Sequence, residues 1–209
     1  MEEIYCYSFV EDAPSRETAI KLAEFRNRTC FRQLRFNTGF PAIVRGASNL
    51  RKRCPSMLNM ARQQMPVFCI TDLDAGLCAS ALIVDWFGVP RGGVRSLPKE
   101  LVFRVAVREI EAWIMADRDA WANYIEIAPA NFAEQPDELP DPKQFLLNVI
   151  RSKGKKKRHK NMLPRGSAHV GPIYNEVLCD FINTTWSPAR ASENSPSLRR
   201  AIDALMRLE

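Results

Sequence analysis

Apolar runs and polar breaks alternate along the first half of the chain. Ile4 to Val10 is apolar and aromatic almost throughout and stops at Glu11-Asp12, as a strand covered on both faces would. Ala13-Pro14-Ser15 then opens a helix, because proline suits a first turn, and Ala19, Leu22, Ala23 and Phe25 supply its apolar stripe. The stretch from Asn27 to Leu50 is rich in arginine and punctuated by Gly39, Pro41 and Gly46, with Ile43-Val44 as a short strand. A helix is predicted from Asn49 or Leu50 to Gln64, where Pro55 argues for a late start or a kink. Val67 to Thr71 is the second clear strand. It runs into Asp72-Leu73-Asp74-Ala75-Gly76, followed by a helix from about Cys78 to Phe87 that Gly88 closes. Leu101 to Val107 is a third strand, and helices over Glu109–Ala116 and Asp119–Ile125 follow it.

The second half has a different texture. Four prolines between Ala128 and Pro142 mark a surface loop. Lys143 to Ile150 is a short helix, and Arg151 to Lys160 contains no acid at all. Two helices close the chain, from about Ile173 to Trp186 and from Pro196 to Leu208, the last with Ser195 as its N-cap. Strands alternating with helices predict an α/β fold: a Rossmann-like, mostly parallel sheet with helices on both faces, plus a helical C-terminal extension. Residues 1–127 form the core in this reading. Residues 128–209 supply the loop, the basic segment and the helices packed on it.

Composition narrows the class only a little. The 209 residues are 46% hydrophobic and 26% charged, as in ordinary globular proteins. No run approaches the ~20 apolar residues that span a bilayer, so no membrane partner is expected. MEEIYCYSF carries acids where a leader would carry bases, which points to a cytoplasmic protein. Six cysteines are scattered without a CxxC pair, and neither His159 nor His169 stands at a zinc-ligand spacing from one. Reduced, mostly buried thiols are therefore expected. The net charge of +6 favours a polyanionic partner only if the charge clusters.

The acids do cluster by position. In parallel α/β sheets, ligands collect outside the carboxyl ends of the strands, and Glu11, Asp72 and Asp74 stand at two such ends. Adjacent carboxylates repel unless a cation compensates, and oxygen-only ligands suit Mg²⁺ or Mn²⁺. If strand geometry persists through Asp72-Leu73-Asp74, both acids face one way and Leu73 faces the core. The bland account is that an Asp-x-Asp pair is common and that aspartate at a strand end caps the next helix.

FVEDAPSRETAIKLAE resembles the first motif of toprim domains, a hydrophobic strand ending in glutamate, and VFCITDLDAG resembles the second, a strand ending in Asp-x-Asp. REIEAWIMAD, DPKQFLLNVI, HVGPIYNEVLCDFI and SPSLRRAIDALMRL look like the bacterial toprim-like family known as domain of unknown function 4276, related to the overcoming-lysogenization-defect nucleases. The resemblance spans Ile4 to Leu208. It implies a toprim-like fold in which Glu11, Asp72 and Asp74 are catalytic metal ligands for Mg²⁺ or Mn²⁺. A further carboxylate after the third strand serves a second metal: Glu111, within the EAW motif, is favoured over Glu109, and the alternative is that both answer the helix dipole. The usual glycine after the glutamate is Asp12 here, which leaves open whether Asp12 adds a ligand. The resemblance further implies an ABC-type or AAA-type ATPase partner and a setting in anti-phage defence.

The activity so implied is metal-dependent phosphodiester hydrolysis of DNA or RNA. A topoisomerase or a primase would need more protein around this core. Lys153, Lys155, Lys156, Lys157, Arg158 and Lys160 are the candidate nucleic-acid contacts, against the plainer account of a solvated loop. His169 is a conceivable general base and more commonly a structural residue. Trp86, Trp113 and Trp121 fall on helical stripes and belong to the core. The alternative from another class is a non-catalytic subunit that binds the ATPase or nucleic acid. A third, action on nucleotides, stays open, as does self-association.

Overall fold

A computed structural model describes residues 2–208. Its five strands are β1 (Glu3–Val10), β2 (Gln33–Phe36), β3 (Ala42–Ile43), β4 (Val67–Asp72) and β5 (Leu101–Ala106). All pair in parallel, in the order β2-β1-β4-β5, with the two-residue β3 joined to the end of β1. The helices are α1 (Ala13–Thr29), α2 (Ala47–Arg62), α3 (Ala79–Phe87), α4 (Ile110–Met115), α5 (Arg118–Ile125), α6 (Pro142–Lys153), α7 (Lys157–Met162), α8 (Tyr174–Thr184), α9 (Pro188–Asn194) and α10 (Pro196–Met206).

Alternation along the strands sends successive side chains into two separate cores. Ile4, Cys6 and Val10 of β1, Phe68 and Ile70 of β4, and Val102 and Ala106 of β5 face α1 and the C-terminal helices. Tyr7, Phe9, Val67, Cys69, Leu101, Phe103 and Val105 face α2 and α3. The unbroken apolar runs that marked β1 and β4 are therefore the mark of strands covered on both sides, and the expected α/β architecture is present.

The region after residue 127 belongs to the same core as the strands. Trp113 Nε1 donates to Ser197 Oγ at 2.7 Å, and Trp186 Nε1 donates to the Trp113 carbonyl at 3.0 Å. Arg26 of α1, only 2% exposed, donates to the carbonyls of Leu205, Leu208 and Arg32. A buried guanidinium thus satisfies carbonyls left over at the end of α10, which intrahelical bonding cannot reach.

Several boundaries differ from the pattern-based expectation. The helix predicted to start at Asn49 or Leu50 begins at Ala47 and carries Pro55 inside it, after Gly46 turns with φ 98°. β2 and α9 carried no clear signal: the first is four residues long and the second seven. The proline-rich loop holds two short 3-10 turns, at Pro129–Asn131 and Pro136–Glu138. All six cysteines are free thiols, and among the described residues no helix is long and apolar enough to cross a membrane.

Candidate active site at the carboxyl edge of the sheet

The carboxyl ends of β1, β4 and β5 meet at one edge, and acids follow each of them. Glu11 comes directly after β1. Its Oε1 accepts the Thr71 hydroxyl at 2.5 Å and the backbone N–H of Asp72 at 3.1 Å, so it is tied across to β4. Asp72, the last residue of β4, accepts the backbone N–H of Ile110 through Oδ1 at 2.9 Å, which ties β4 to the start of α4. Oε2 of Glu11 and Oδ2 of Asp72 take no hydrogen bond among the described residues.

Asp74 departs from the expectation that both acids of the DLD motif share a face. The strand ends at Asp72, and Asp74 adopts a left-handed φ of 49°. The Arg108 carbonyl accepts the N–H groups of both Leu73 and Asp74, while the Arg108 guanidinium donates to the carbonyls of Asp74 and Gly76. This turn, not strand alternation, sets the direction of the exposed Asp74. Leu73 is buried, as expected. A Cβ on Gly76 would lie 2.8 Å from the Leu73 carbonyl, so the tight turn requires glycine. Asp12 is the N-cap of α1 and accepts the N–H of Ser15.

Glu109 and Glu111 have distinct surroundings. Glu109 accepts both the backbone N–H of Lys143, at 2.8 Å, and its ammonium, at 3.1 Å, so it anchors the first turn of α6. Glu111 is 2% exposed. Its Oε1 accepts the Tyr174 hydroxyl at 3.2 Å and lies 3.5 Å from Lys143 Nζ, and its Oε2 is buried without a partner.

Electrostatics binds these acids into one unit. Burial first, then Glu111 and Glu11, push the Asp72 carboxyl well above the usual carboxylate range. Burial raises Glu111 to about 7, with Glu109 and Asp12 adding to it and Lys143 opposing. Burial also raises Glu11, against its bonds from Thr71 and Asp72, with Asp74 and Asp12 reinforcing the rise. Burial works against the Lys143 ammonium, yet Glu111, Glu109 and Asp72 together outweigh it and hold its pKa above the ordinary lysine value. One ammonium among this many carboxylates is an incomplete compensation.

Among the described residues no group of three or more His, Cys, Asp or Glu side chains converges as a ready metal cage. The donor chemistry nevertheless fits a hard divalent cation, and the partnerless Glu111 Oε2 together with the free oxygens of Glu11 and Asp72 is where ligands would come from.

The basic segment is mostly helical, so the solvated loop, the plainer alternative for it, is not what forms. α6 continues to Lys153 and α7 begins at Lys157. Lys156 pairs with Glu126, and the Arg158 guanidinium stacks 4.3 Å above the Tyr124 ring. His159 is buried, with Nε2 2.8 Å from the Ile125 carbonyl and Nδ1 accepting the Lys156 N–H. Lys153, Lys155, Lys157 and Lys160 remain exposed. Ten steps of helical rise place Lys153 about 15 Å along α6 from Lys143. His169 is exposed on a turn.

Lys143, Tyr174 and Thr71 lie within the DPKQFLLNVI, HVGPIYNEVLCDFI and VFCITDLDAG segments, but the sequence gives none of the three a role at the site. A faint signal exists for Lys143: a lysine in the first turn of a helix opposes the macrodipole, so a local carboxylate is needed. Comparisons with family models, curated proteins and solved structures found no significant match for this chain.

Proposed function

We propose that the chain is a metal-dependent nuclease of toprim type, hydrolysing phosphodiesters of DNA or RNA with Mg²⁺ or Mn²⁺. The observation that supports this most is the buried Asp72 at the carboxyl edge of a parallel sheet, tied to α4 through the Ile110 N–H and raised by Glu111 on one side and Glu11 on the other, with Lys143 opposing. Such a cluster gains from a bound cation more than from any rearrangement of its own. Glu11, Asp72, Glu111 and the exposed Asp74 are the residues that would hold metal, which when bound supplies Lewis-acid polarisation of a phosphoryl oxygen. Lys143 keeps Glu111 partly charged at neutral pH and offers a donor toward phosphate. Tyr174 and Thr71 orient Glu111 and Glu11. Lys153, Lys155, Lys157 and Lys160 would hold the substrate backbone away from the reacting bond. In this reading the chain is the effector of an ATPase-associated anti-phage system, as the toprim-like resemblance implies.

The competing reading is a non-catalytic subunit that binds an ATPase or nucleic acid. One observation favours it: Lys143 already sits 3.1 Å from Glu109 and 3.5 Å from Glu111, as an internal counter-ion would.

The deciding experiment is cleavage of labelled single- and double-stranded DNA and RNA in Mg²⁺, Mn²⁺ or EDTA, beside the Asp72→Ala/Asp74→Ala double variant. Metal-dependent cutting that the double variant loses while staying folded supports the enzyme. No cutting, alone or with a co-expressed ATPase, supports the non-catalytic subunit.

A further inference from the structure

Arg104 lies on β5, the strand at one edge of the sheet, and its side chain reaches toward α10. Its Nε is buried and has no hydrogen-bond partner among the described residues. Burial first, then Arg207 and Arg200, lower its pKa below the ordinary arginine value, and no carboxylate among the described residues offsets them. A guanidinium that proteins normally pair is here surrounded by its own kind.

The neighbours come from a single stripe of α10. Arg200, Ala204 and Arg207 stand at i, i+4 and i+7, and the small Ala204 leaves room between the two arginines. Arg207 at the end of the helix has an ordinary explanation, since cations suit a helix C-terminus. Arg104 has none, whereas Arg200 is exposed on the solvent side of α10. A cavity of about 410 Å³ opens beside Arg104 and Arg207, with Lys99 also on its walls together with apolar Val94, Leu97 and Pro98. Glu100, the nearest acid in sequence, is itself buried and borders the adjoining cavity with Lys99 and Arg207.

We propose that this cleft between the β5 edge and α10 is a binding subsite for a nucleotide unit, with the phosphate on Arg104 and Arg207 and the base against Val94, Leu97 and Pro98. Arginine forks match phosphate oxygens in a way that point charges do not. The volume exceeds what a phosphate alone would fill and falls in the range of small-molecule sites. α10 also gives the cleft a direction. Ser197, in its first turn, accepts the Val107 N–H beside the acid edge, so the arginine stripe leads away from that edge along β5. The sequence-local basic run at 151–160 is partly consumed by Glu126 and Tyr124, whereas these cations, brought together only by folding, are not. The subsite needs no metal and stands whether or not the chain cleaves anything.

The test uses the full chain in EDTA, with inorganic phosphate, adenosine, adenosine 5′-monophosphate and a short fluorescein-labelled single strand as probes. Melting temperature and anisotropy are read at matched ionic strength. The monophosphate is expected to raise the melting temperature more than phosphate does, and adenosine not at all. Arg104→Gln and, separately, the surface variant Arg207→Gln should each weaken monophosphate binding about tenfold, the scale of a lost charged hydrogen bond. Arg104→Gln should also raise the melting temperature of the ligand-free chain. If only the labelled strand binds and Arg104→Gln weakens it, the nucleotide unit comes from a polymer, which supports the subsite. Equal effects of phosphate and monophosphate would overturn the nucleotide assignment. Unchanged binding in both arginine variants would overturn the subsite altogether. Cleavage assays are read separately, so a failed nuclease proposal leaves this result intact.

Discussion

Lys143 Nζ lies 3.5 Å from Glu111 Oε1, inside the fold, although the two residues come from different helices and 32 positions apart in the chain. The pair is unequal. Glu111 is raised toward neutrality by burial even with the ammonium beside it, and Lys143 is raised by Glu111, Glu109 and Asp72. Burial is therefore the larger effect on the acid, and the carboxylates are the larger effect on the base.

Replacing Lys143 with methionine removes the one ammonium that opposes the carboxylates. Breaking a buried pair from one side typically costs about 3–5 kcal/mol, and the partial exposure of Lys143 brings the expected loss below that range, to about 2–3 kcal/mol at pH 7. Urea denaturation of the variant checks it. An unchanged midpoint would mean that the ammonium compensates nothing.

The raised Glu111 makes stability depend on pH in a defined direction. Its folded pKa of about 7 lies above the ordinary 4.5, so the folded chain holds the extra proton between those values. The resulting stabilisation is fully present below pH 4.5 and lost as pH rises through 7, a change of about 3 kcal/mol by linkage. Asp72, raised in the same direction, adds to it. In EDTA, Glu111→Gln should flatten this part of the stability profile and be more stable than the parent at pH 8. A parent profile that rises with pH over the window would contradict the assignment.

Divalent cation should reverse that loss. Binding to the folded chain alone stabilises by about 2.7 kcal/mol at a hundredfold excess over Kd. Mn²⁺ added at pH 8 is expected to raise the melting temperature of the parent but not of an Asp72→Asn/Glu111→Gln double variant. An equal rise in both would place the metal elsewhere.

His159 is structural within a segment of exposed lysines. His159→Ala leaves the Ile125 carbonyl unpaired and should cost about 1–3 kcal/mol in chemical denaturation. The Lys153→Gln/Lys155→Gln/Lys160→Gln variant should keep parental stability and bind a labelled strand with a shallower salt dependence, by roughly one slope unit for each phosphate it no longer neutralises. Loss of stability in the triple variant would show that these lysines serve the fold.

The sheet was legible from the sequence, because β1, β4 and β5 are covered on both faces and such strands read as unbroken apolar runs. So were the places of Glu11, Asp72, Glu109 and Glu111, since acids directly after such strands must lie at one edge once the strands run parallel. Local context set what the pattern left open. The alternation that should have aligned Asp72 with Asp74 fails because the strand ends at Asp72, two residues short of Asp74, and Arg108 fastens the turn. Composition marks residues 151–160 as a basic run with a solvated loop as one alternative, and a helix with a buried histidine cap forms there because His159 finds the Ile125 carbonyl 34 residues away. Lys143 and Tyr174 beside Glu111, and Arg200 and Arg207 beside Arg104, come together only in the folded chain. Hydrophobic period reports which face of an element is buried, and it carries no information on which distant side chain will share that burial.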